Sequence, residues 1–77
     1  MATKATGKST DQIIKIVSAG SNVMFDASGK STDQLLKIAT AAVRAGVTVT
    51  FLNVGGKSTD QLTRIAATGK DHVVLEV

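Results

Sequence analysis

Lys8, Lys30 and Lys57 each stand before a serine and a threonine, with an aspartate close behind. The phrase GKSTDQ is repeated without change at residues 7–12, 29–34 and 56–61. A lysine beside a helix start can do chemistry. The free amides of a first helical turn and an ammonium group can together receive an anion. The candidate anion-binding residues are therefore Lys8, Ser9, Lys30, Ser31, Lys57 and Ser58. The same letters also serve as a helix start. Ser9, Ser31 and Ser58 suit the N-cap, where a hydroxyl oxygen accepts from a first-turn amide. Gln12, Gln34 and Gln61 sit three residues later and complete a capping box. Asp11, Asp33 and Asp60 bring negative charge to the positive end of the helix dipole. Gly7, Gly29 and Gly56 let the chain turn sharply. Lysine fits this account least, since a cation at that end is mildly unfavourable. One structural use for it is an exposed ladder in which each lysine meets the aspartate of a neighbouring unit, worth little per pair.

SGKST at residues 28–32 resembles the second half of a phosphate-binding loop, GxxxxGK[ST], and lies between an expected strand and an expected helix. The first glycine of that pattern is missing each time, its place held by Ala2, Met24 and Phe51. FDASGK is too short and bulky to wrap a phosphate, and Asp26 is the nearest acid for magnesium. Nucleotide hydrolysis is not expected. Weak anion binding is the second reading and a plain helix start the first. Other chemistry is thinner. His72 beside Asp71 reads as a surface pair, because no nucleophile or oxyanion donor accompanies it. Asp26 and Glu76 share a sheet face, yet nothing sets their separation for acid–base work. With one histidine and no cysteine, a zinc site is not expected. The sequence marks no catalytic residue and no cofactor.

The elements that hold these phrases follow from the repeat. The units run over residues 7–28, 29–55 and 56–77 of a single domain, residues 1–77. After each phrase comes an apolar pattern at steps of three and four: Ile13, Ile16 and Val17; Leu35, Ile38, Ala39, Ala42 and Val43; Leu62, Ile65 and Ala66. Gly20, Gly46 and Gly69 are placed to end the helices in the left-handed conformation. Runs rich in valine and phenylalanine then predict strands over residues 22–27, 47–54 and 72–77. Strands joined by helices lie parallel with right-handed crossovers. The expected fold is α/β, with three tandem helix–strand repeats forming a small parallel sheet. Alternation in the strands favours helices on one face. Val23, Phe25 and Ala27 oppose Asn22, Met24 and Asp26; Val47, Val49 and Phe51 oppose Thr48, Thr50 and Leu52; Val73, Leu75 and Val77 oppose His72, Val74 and Glu76. Such a short solenoid is similar in architecture, though not in motif, to leucine-rich repeats.

Composition bounds the function. The chain has 77 residues and a net charge of +3, with its charges dispersed. A nucleic-acid partner is not expected, because Phe25 and Phe51 are the only aromatic residues and there is no basic patch. No apolar run approaches a membrane span, and the first residues lack a secretory pattern, so a soluble cytoplasmic protein is expected. The sequence thus suggests a non-enzymatic repeat protein that self-assembles or binds a partner, most simply a homo-oligomer joined through edge strands and open repeat ends. Its alternatives are a phosphate-, anion- or nucleotide-binding module, for an acidic or phosphate ligand, and an engineered or excised repeat fragment without independent function.

Overall fold

A computed structural model describes residues 2–77. The elements are β1 (Thr3–Lys4), α1 (Thr10–Ser18), β2 (Val23–Asp26), α2 (Thr32–Ala45), β3 (Val49–Leu52), α3 (Thr59–Gly69) and β4 (Val73–Leu75), with a short 3-10 turn, Lys70–His72, before β4. The fold is α/β. All strand pairs are parallel, and the strands stand in chain order, β1-β2-β3-β4.

The sequence pattern predicts three strands, and the sheet has four. The extra strand, β1, has only two residues, both exposed. Backbone bonds hold it: the Thr3 amide donates to the Asn22 carbonyl at 2.6 Å, and the Ala5 amide to Met24 at 2.9 Å. A strand made by the ladder alone leaves no apolar alternation to read. With β1 present, each GKSTDQ phrase follows a strand and opens a helix. The expected strands shorten to the stretches where the ladder is regular.

Alternation in the strands does decide which side chains are inside, except at Val77, expected beside Val73 and Leu75 but lying past the end of β4 and 83% exposed. Val23, Phe25, Val49 and Phe51 are buried, and Val73 and Leu75 pack against them. Met24, Thr50 and Leu52 are half-buried, while Asp26 and Val74 are exposed. The helices supply the opposing surface through Ile13, Val17, Leu35, Ile38, Ala39, Ala42 and Ile65, all buried. Burying each large apolar side chain contributes about 1.5–3 kcal/mol before chain entropy is subtracted. At the centre the Phe25 and Phe51 rings meet edge to face, with centroids 5.2 Å apart. The register explains this, since Phe25 pairs with Phe51 across β2 and β3. Helix α2 packs on both α1 and α3.

The helix ends differ from one another. Gly46 caps α2 with φ 70°, as the sequence predicts. Gly69 does not take the left-handed conformation that ends α2; it stays helical at φ −90°, and Lys70 after it has a positive φ of 54° with ψ −127°, so α3 ends without a left-handed cap. Glycine is needed at position 69 for space instead, because a Cβ there would strike the Val73 side chain.

The candidate edge where strands become helices

Each strand leaves the sheet through a tight turn. The Lys30 amide donates to the Ala27 carbonyl at 3.1 Å, and the Lys57 amide to Val54 at 3.1 Å. Lys8 and Ala5 make the same contact at 3.5 Å. Ala5, Ala27 and Val54 are buried and anchor these turns. A turn closed over four residues does not wrap a phosphate as a full loop of the GxxxxGK[ST] type would. Among the three phrase glycines only Gly7 has a positive φ, 75°. The expectation that all three need glycine's conformational freedom is therefore corrected at Gly29 and Gly56.

The serines then cap. The Ser9, Ser31 and Ser58 amides donate to the Gln12, Gln34 and Gln61 side-chain oxygens, each at 2.9 Å. The glutamine amides return bonds to the serine hydroxyls, each at 3.2 Å. All three helices thus carry the capping box predicted from the sequence.

The lysines form one row, but not by the expected route. Lys30 Nζ donates to the Lys8 carbonyl at 3.4 Å, and Lys57 Nζ donates to the Lys30 carbonyl at 3.0 Å. Lys30 and Lys57 therefore each bond the backbone of the phrase lysine before them. The Lys–Asp ladder is not formed: among the described residues no lysine or arginine pairs with a carboxylate, and the one contact of that kind is His72 Nε2 with Asp71, 3.6 Å apart. The reason is geometric. Asp11, Asp33 and Asp60 lie inside the first turn, whereas the lysine carbonyls lie just before it, at the level the neighbouring lysine reaches. A carbonyl bonded to an ammonium is a stronger acceptor contact than a neutral pair makes. The Lys30 ammonium also sits 5.9 Å from the Phe25 ring centroid, a cation–π distance.

A cleft of about 370 Å³ opens between the starts of α1 and α2, with Ser9, Thr10, Asp11, Lys30 and Lys37 among its walls. Of the six candidate anion-binding residues, Ser9 and Lys30 line this cleft, while Lys8 lines a neighbouring depression with Lys30. Ser31, Lys57 and Ser58 lie outside both. Lys37 was missed as a wall residue. It stands three residues beyond Gln34, another wall residue on α2, and so on the same face of that helix, which is the signal that could have found it. Asp11 puts a carboxylate in the same cleft, opposing an anion.

Two hydroxyls in this region, Thr10 Oγ1 and Thr32 Oγ1, are shut from solvent with no hydrogen-bond partner. Thr59, their counterpart in the last unit, is exposed. Asp26 accepts from the Ser28 amide at 2.9 Å and from the Ser28 hydroxyl at 2.7 Å. These bonds, side chain first and backbone second, hold the carboxyl below the ordinary aspartate value of 3.8. His72 Nδ1 lies 3.0 Å from the Val47 carbonyl, tying the approach to β4 to the approach to β3. Among the described residues no cluster of acidic, histidine or cysteine side chains could hold a metal ion. Among the described residues no helix is long and apolar enough to cross a membrane.

No family model, curated protein or solved structure matches this chain.

Proposed function

We propose that this chain is a small non-enzymatic repeat module that acts by self-association or by binding a protein partner. In this reading the strand–helix units stack as a short solenoid with the helices along one face of the sheet. The chain-order parallel strands and the packing of α2 on both other helices support that arrangement. The observation that carries the function is the unfinished sheet. β1 and β4 are each paired on one side only. Met24, Leu52 and Val74 point away from the core, and Val74 is 48% exposed. A sheet with free edges and a partly apolar open face is a template for another chain. Light scattering across the micromolar range tests it. The expected result is a mass above that of the 7.9 kDa chain, rising with concentration. A folded monomer throughout would overturn the self-association form of the reading.

A second reading is anion binding by the GKST helix starts. The row of Lys8, Lys30 and Lys57 beside three capped N-termini favours it. Two facts weigh against it: Lys30 and Lys57 already spend their ammonium groups on carbonyls, and Asp11 lines the cleft. Calorimetric titration with phosphate, ATP and a short oligonucleotide separates the readings. Heat at millimolar ligand, abolished by Lys8→Ala without a change in melting temperature, would establish the anion site. No heat would remove it.

A further inference from the structure

The last unit leaves uncovered what the two before it bury. Leu62 on α3 is half-buried, whereas Ile13 and Leu35, at the same point of their helices, are fully buried. Ala66 is exposed where Val17 and Ala39 are buried. On the core side of β4, Val73 and Leu75 are half-buried, whereas Val49 and Phe51, their partners in the ladder, are buried. The four positions form one apolar strip, because Gly69, three residues beyond Ala66, lies directly against Val73. Inside the chain the following unit covers each equivalent strip. β4 stands at the end of the sheet, so its strip is left open.

The backbone beside the strip is open as well. The Glu76 amide donates to the Phe51 carbonyl at 2.9 Å, and the Glu76 carbonyl accepts from the Val54 amide at 3.2 Å. Backbone groups of alternate residues face opposite sides of a strand, so those of Val73 and Leu75 face outward. No lysine or proline guards residues 73–76. The other edge differs, since β1 has two residues and one of them is Lys4. From the continuity of this strip with the joints inside the chain, we infer that a second copy pairs with it, β4 against β4 and antiparallel, about a two-fold axis at Val74. The inference rests on the proposed self-association and names the edge that carries it. Val73 of each copy exchanges two backbone bonds with Leu75 of the other, Val74 faces Val74, and the two four-stranded sheets become one. Leu62, Ala66, Val73 and Leu75 of both copies line the joint, and none of them is charged. This register sets Glu76 opposite His72 of the other copy, whereas one centred on Glu76 would oppose two carboxylates. Both copies use the same surface, so the assembly closes at two chains.

Cysteine placement tests the pairing, because the chain has no cysteine of its own. Val74→Cys sets two thiols at a directly opposed pair without backbone bonds, where Cα atoms are about 4.5 Å apart and within disulfide range. Under mild oxidation it should give a covalent dimer many-fold faster than Lys4→Cys, at the other edge. Val74→Lys places two ammonium groups face to face. It should keep the far-UV circular dichroism of the parent, since Val74 is exposed, and raise the concentration needed for association at least tenfold. The mass of the parent should level off at twice the 7.9 kDa chain. If the parent associates but Lys4→Cys crosslinks as fast as Val74→Cys, or Val74→Lys associates as the parent does, or the mass climbs past two chains, pairing through β4 is wrong and association through another surface survives. If the parent remains a monomer throughout, the inference and the association reading fail together.

Discussion

The hydroxyl of Ser31 shows how one side chain sets an element. It accepts the Gln34 amide while the Gln34 side chain returns to the Ser31 amide. Ser31→Ala removes one half of that exchange and should cost about 0.5–2 kcal/mol in a denaturant titration. Gly69 acts through space rather than through its dihedral. Gly69→Ala drives a methyl group into Val73, and overpacking of this kind costs about 1–3 kcal/mol. The loss should be recovered in part by adding Val73→Ala, which a double-mutant cycle would detect. Asp26 contributes to the acid sensitivity. Its folded value lies below 3.8, so its contribution is complete above that pH and is lost as pH falls through the lower, folded value. A carboxyl titration by NMR should find Asp26 below 3.8, and Ser28→Ala should return it toward that value.

At the scale of elements, the ladder of lysines couples neighbouring strand–helix units. Its two bonds are unequal. Lys57 to Lys30 is 3.0 Å and half-buried, whereas Lys30 to Lys8 is 3.4 Å and exposed. Lys57→Met should therefore destabilise by about 1 kcal/mol. Lys8→Met, which removes no internal bond, should leave the melting temperature unchanged. Equal effects would mean that the ammonium contacts carry no weight. The helices and the strand faces were legible in the sequence, because apolar spacing and alternation are what burial selects: Leu35, Ile38 and Ala42 on α2, Val49 and Phe51 on β3. The capping boxes were legible for the same reason, since Ser and Gln at that spacing have one geometry to satisfy. β1 and the ladder were not. Both depend on backbone groups, which every residue carries, and on which units end up side by side. The letters Lys8 and Thr3 hold no record of the carbonyl that lies opposite.

At the scale of the whole molecule, stability is expected to be graded rather than uniform. β2, β3 and α2 have neighbours on both sides, and β1 and β4 have one each. Amides in the middle should open only with global unfolding, while those of the outer strands should open locally. Hydrogen exchange should rank protection accordingly, with Phe25, Phe51 and Ile38 slowest and Ala5 and Glu76 much faster. Uniform protection across the sheet would show a single cooperative unit and remove the grading. Association through β4 should raise protection at that end alone.

The unchanged phrase also makes the chain editable in length. Residue 28 is followed by Gly29 in the parent, and a chain lacking residues 29–55 would continue from Ser28 into Gly56 with the same six letters. The seam would fall in a turn, and the cap after it would be written as before. Lys57 would then face the carbonyl of Lys8, the same kind of acceptor it meets now on Lys30. Insertion of another such unit would obey the same grammar. A chain whose joints are interchangeable can vary in span while every junction keeps its chemistry, so length and point substitution become separate variables.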